Sequence, residues 1–122
     1  PLMGKILAEN TSASLGLHAC LDIYVNYMGW GKDEVREYLK NFYSNPDQVV
    51  DSIFYAMIEN PGNYLSYYVG YLEFMNMREP AEMQLGEKFD EKEFHTFLLD
   101  MGNAPFDVIQ AYFTSWLMER KM

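Results

Sequence analysis

The chain has 122 residues, 49% of them hydrophobic and 16% aromatic, a composition that folds and excludes a disordered segment. Its length suits one domain, 1–122, with one core. A formal net charge of -9 argues against nucleic acid or an anionic membrane as partner, because both are held largely by Lys and Arg.

The first helix is predicted from Leu2 to about Met28, as one long helix or two abutting ones, with Leu17, Cys20, Leu21, Tyr24, Val25 and Met28 on a 3-4-3 rhythm. Cys20 therefore reads as a small buried hydrophobe; being the lone cysteine, it has no disulfide partner in this chain. Small residues such as Gly16 in the first half suit close packing against another helix, of this chain or of a part missing from it. His18, a single histidine on a mostly apolar helix, has the ordinary reading of a hydrogen-bonded structural residue.

Gly29-Trp30-Gly31 ends that helix and Lys32 to Ser44 forms the next, with Asp33 and Glu34 in its first turn and Val35, Tyr38, Leu39, Phe42 and Tyr43 as its apolar stripe. Asn45-Pro46 then opens a further helix, carrying Val49, Val50, Ile53, Phe54, Met57 and Ile58 up to Pro61. The two make a helical hairpin.

Pro61-Gly62 breaks the chain again, and the central helix runs from about Asn63 toward Leu85, closed by Gly86. Pro80 lies inside it and predicts a kink or break near Asn76 to Glu79. Tyr64, Tyr67, Tyr68 and Tyr71 fall at i, i+3, i+4 and i+7, on one face. Two readings of that face stand: packing residues with wet hydroxyls, or phenols donating hydrogen bonds to a substrate or an oxyanion.

Asp90 and Glu93 form a capping-box pattern before a helix that carries Phe94, Phe97, Leu98 and Met101 and stops at Gly102. His95, in its first turn, has no second His or Cys near it in sequence, so a structural role outweighs a ligand role. The last helix begins at Pro105 and packs through Phe106, Ile109, Phe113, Trp116 and Leu117. No strand-like alternation occurs, so the fold class is all-α: a single domain of about six helices.

The self-contained catalytic signatures are missing: no His-Glu-x-x-His, no Cys-x-x-Cys, no glycine-rich phosphate loop and no Gly-x-Ser-x-Gly. The many carboxylates mostly fall on exposed helix faces, where a solvated surface is the default. No run approaches the ~20 apolar residues of a membrane span, and no signal peptide is present. The chain starts Pro1-Leu2-Met3, without an initiator methionine, and reads as a trimmed piece with any targeting segment upstream.

Pro61-Gly62-Asn63-Tyr64-Leu65-Ser66-Tyr67-Tyr68-Val69-Gly70, Met77-Arg78, Leu85 to Asp90, Phe94-His95 and Leu99 with Gly102 together resemble the C-terminal part of the bacterial family named domain of unknown function 885. Gly16-Leu17-His18-Ala19 and Gly29-Trp30 are similar to an earlier block of the same family, in the same order, so the resemblance spans about residues 12 to 110. It implies a larger, mostly helical, zincin-like metallopeptidase-type protein, whose zinc ligands sit on upstream motifs that this chain does not contain. The metal is thus expected in the full-length protein, with no metal site and no cofactor in these residues. The expected partners are the remainder of that protein and a peptide-like substrate. The compartment, cytoplasm or cell envelope of a bacterium, depends on the missing N-terminus.

The Pro-Gly block and tyrosine helix also bear a more distant likeness to angiotensin-converting-enzyme-type peptidases. Carried over residue by residue, this implies Tyr67 as oxyanion donor and Tyr64 as a substrate-binding hydroxyl. His18 would donate a hydrogen bond in the cleft, and Arg78 would pair with a substrate carboxylate. The sequence departs from the commoner family form, Pro-Gly-Gln-Ala, at Asn63 and Tyr64. The expectation is a C-terminal helical region of a zinc-dependent peptidase-like hydrolase, inactive alone and prone to self-association through uncovered apolar faces. The alternative is a non-enzymatic helical interaction module with the tyrosines as its partner surface.

Overall fold

The computed structural model describes residues 2–122 and, among them, six α-helices and no strand, the all-α class expected. The helices are α1 (Leu2–Asn26), α2 (Lys32–Leu39), α3 (Val50–Glu59), α4 (Asn63–Leu85), α5 (Glu91–Met101) and α6 (Phe106–Lys121), with short 3₁₀ turns at Pro46–Gln48 and Gly86–Lys88. Where one core was anticipated, the buried side chains form two clusters, one in each of two compact units, residues 1–70 and 71–122.

In the first unit, Leu21 and Val25 of α1, Val35 and Leu39 of α2, and Val50, Ile53 and Met57 of α3 make the core. Tyr24, Trp30 and Tyr38 flank it: Tyr24 stacks on Trp30 with centroids 4.2 Å apart, and Tyr38 meets both edge-on. Gly29, at φ 75°, supplies the left-handed residue that ends α1, letting the Trp30 N–H reach back to the Tyr24 carbonyl. α2 ends at Leu39, five residues before the predicted Ser44. The Asn41 side chain donates to the Tyr38 carbonyl at 2.9 Å, offering the backbone an alternative to another helical turn, and Phe42 is left exposed.

The second unit packs Met77, Ala81 and Leu85 of α4 against Phe94 of α5 and Ile109, Phe113, Trp116 and Leu117 of α6. Helix α4 runs unbroken through Pro80; of the two outcomes expected there, the chain does not break. Met77, Ala81 and Leu85, spaced at i, i+4 and i+8 around the proline, are all buried, and their burial offsets a lost backbone hydrogen bond. Asp90 caps α5 by accepting from the Glu93 N–H at 2.9 Å. The Glu93 carboxylate does not close the box; it pairs with Arg120, which lies over the Trp116 ring. No helix among the described residues is long and apolar enough to cross a membrane.

Candidate functional site

The sequence places the most polar chemistry of the first unit at the corner between α3 and α4. Asn60-Pro61-Gly62-Asn63 folds as a type II turn: proline presets the second position, Gly62 takes φ 80° at the third, and the Asn63 N–H donates to the Asn60 carbonyl at 3.2 Å. That pairing leaves the Gly62 N–H without a partner inside the turn. Asp22 of α1 supplies one. Its Oδ1 accepts from Gly62 N at 2.8 Å and its Oδ2 from Leu65 N at 3.4 Å, two of the orphan donors at the start of α4. Asn26, one turn further along α1, donates Nδ2 to the same Asp22 oxygen at 2.9 Å and to the carbonyl of Met57, near the end of α3, at 3.0 Å. An acceptor thus meets the N-terminal end of one helix and a donor the C-terminal end of the other, matching the sign of each dipole.

Asp22 is 2% exposed, the one buried charged residue among those described and the exception to the mostly solvated carboxylates expected. Cys20, expected to be buried, is corrected: it is exposed. Both departures have one cause. At about 100° per residue, the buried face of α1 centres on His18, Asp22 and Val25, while Cys20 lies about half a turn away. A stripe drawn through apolar residues alone misplaces that centre, because two of its members are polar. The only sequence signal for Asp22 was its place between Leu21 and Val25.

His18 sits one turn before Asp22. Its Nδ1 lies 2.7 Å from the Ser14 carbonyl, so Nδ1 carries a proton and donates there, and in the neutral ring Nε2 is left as an acceptor. Its ring packs on Tyr64 with centroids 4.9 Å apart. Two of the expected site residues are therefore brought together from distant parts of the sequence. The tyrosine stripe is not one uniform face: Tyr64, Tyr68 and Tyr71 are half-buried, whereas Tyr67 is 64% exposed. Tyr68 lies over Gly16, where a Cβ would come within 3.2 Å of its ring, so the predicted close helix approach at Gly16 is made to α4.

Arg78 belongs to the second unit. Its Nε pairs with Glu82 and its Nη2 with Glu91, each at 2.9 Å, so its carboxylate partners here are the chain's own. It borders an open groove of about 600 Å³ floored by Phe74, Phe94, Leu98 and Leu99, with exposed His95 on the rim. Zinc, implied by the resemblance, does not fit these residues: among those described, no group of three or more His, Cys, Asp or Glu could hold a metal ion.

A family model described as "Bacterial protein of unknown function (DUF885)" matches residues 15–112. No curated protein and no solved structure matches the chain.

Proposed function

Since this chain belongs to the bacterial DUF885 family, we propose that it forms a helical wall of a peptidase-type hydrolase site. It presents polar groups to a peptide-like substrate, and any zinc is held by residues outside it. The observation that carries this reading is the His18–Tyr64 pair, an imidazole fixed by Ser14 and packed on a phenol at the start of the tyrosine helix. With its Nδ1–H spent on Ser14, the neutral His18 ring offers Nε2 as an acceptor in place of the donor that the resemblance implied, and the Tyr64 and Tyr67 hydroxyls donate. Tyr67, exposed one turn beyond Tyr64, is the residue we assign to a developing oxyanion on the substrate, with Tyr64 as the neighbouring substrate-binding hydroxyl.

The test is Tyr67→Phe in the longest natural polypeptide that carries this region. Turnover of peptide substrates should fall about 10²-fold, the usual loss on removing one oxyanion donor, with the far-ultraviolet circular dichroism unchanged. Unchanged turnover, or no hydrolase activity in the parent polypeptide, overturns this reading in favour of a second one, a non-enzymatic interaction module. What favours the second is the exposure of Tyr67 together with Leu2, Met3, Ile6 and Leu7 on α1, since tyrosine and apolar side chains supply contact area at interfaces.

A further inference from the structure

We propose that Asp22 is the residue that positions His18 against Tyr64, which gives the polar pair named above its geometry. Along α1, His18, Asp22 and Asn26 follow one another at i, i+4 and i+8, a single polar row in which Asp22 is buried, His18 half-buried and Asn26 exposed. Each meets a different point of the α3–α4 corner: His18 the ring of Tyr64, Asp22 the N–H groups of Gly62 and Leu65, Asn26 the carbonyl of Met57. The two residues bonded to Asp22 at the start of α4 bracket Tyr64 in sequence. Fixing Gly62 and Leu65 therefore fixes the azimuth from which the Tyr64 side chain leaves its helix, while the four-residue step on α1 fixes His18 opposite it.

The choice of a carboxylate follows from the chemistry of the corner. A buried charge is costly unless it is hydrogen-bonded, and Asp22 accepts from two backbone amides and one side-chain amide. Asparagine at this position would keep one acceptor oxygen but turn an NH₂ group toward a backbone N–H, donor against donor. With Asp22 in place, the positive end of α4 is already answered by a charge from inside the protein. The Gly62 and Leu65 amides are thereby taken by Asp22.

Nuclear magnetic resonance of the 122-residue chain tests this without any assay of activity. In the wild type, the Gly62 amide should exchange with solvent on the order of 10²-fold more slowly than a free loop amide, and the His18 and Tyr64 rings should show mutual cross-peaks. In Asp22→Asn, both signatures should be lost while methyl contacts among Leu21, Leu39 and Met57 persist. Asp22→Glu, which keeps the charge and displaces it by one methylene, should restore Gly62 protection in part. Ring cross-peaks unchanged in a folded Asp22→Asn chain reduce Asp22 to a stabiliser of the fold and overturn the proposal. If Asp22→Asn unfolds the first unit, the wild-type spectrum decides: a Gly62 amide exchanging at the free-loop rate, or no His18–Tyr64 contact, overturns it equally. The functional weight of this geometry rests on the hydrolase reading, but a negative Tyr67→Phe experiment would leave these spectra, and the positioning role, untouched.

Discussion

Tyr38 carries a pH signature of the first unit. Its ring stands edge-on to Tyr24 and Trp30, and burial, followed by the neighbouring Tyr24, holds its hydroxyl above the ordinary value of 10.0. A raised folded value means that the unfolded chain releases this proton first as pH climbs. The contribution is whole below about pH 10.0 and is lost as pH rises through the folded value. The urea midpoint should therefore fall on the alkaline side of pH 10, and Tyr38→Phe should make that fall shallower; an identical alkaline limb in the variant would refute the assignment. Part of the limb remains in either case, because the Lys32 ammonium, hydrogen-bonded to Asp51 and then Tyr55, is also raised and its loss has the same sign. At this scale the sequence was least informative. It named His18 and Tyr64 separately, but their contact depends on a fold that joins α1 to the start of α4. Asp22 had no pattern to reveal it, since one acidic residue on a helix has the same local signature whether it faces water or two backbone amides.

At the scale of elements, punctuation in the sequence was largely decisive. Gly86 and Gly102 stand where α4 and α5 end, Pro105 stands just before α6, and Asp90 caps α5 as its pattern demanded. The misreading of α2 shows the limit: its apolar spacing continues to Tyr43, yet the local bond from Asn41 and the absence of a buried place for Phe42 end the helix sooner. Pro80 shows the converse, a strong breaker overridden by packing on both sides. Relieving it gives a clear expectation. Pro80→Ala restores a backbone donor and removes the clash with the preceding turn, so the second unit should gain about 1–3 kcal/mol. Thermal or urea denaturation measures this directly, and a loss of stability would mean that the proline is itself needed in the packing of α4.

Across the whole molecule, two clusters of buried residues replace the single core that length alone suggested. Each can be probed by its own large-to-small change. Leu39→Ala should cost the first unit about 2–5 kcal/mol, and Phe94→Ala should cost the second about 3–5 kcal/mol, because both side chains are almost fully buried and leave cavities. Residue-resolved hydrogen exchange would show which amides lose protection. For Leu39→Ala the loss should fall on amides of α1 to α3, and for Phe94→Ala on those of α5, α6 and the second half of α4; a loss confined to any other segment contradicts the division into two cores. Helix periodicity made most of the members of these clusters legible. Their partition was not, because a heptad-like spacing says which face is apolar but not which other face it meets.

The sequence by itself determined that the chain is all-helical, where most of its helices start and stop, and that it belongs with a bacterial family, since periodicity, caps and motif order are local properties. The tertiary structure alone decided that the buried face of α1 is centred on His18 and Asp22, that a carboxylate closes the start of α4, and that His18 lies on Tyr64. The reason is physical. A polar group is buried only where partners from elsewhere in the chain satisfy it, and those partners, the backbone amides of Gly62 and Leu65, carry no side-chain signature for a sequence to display.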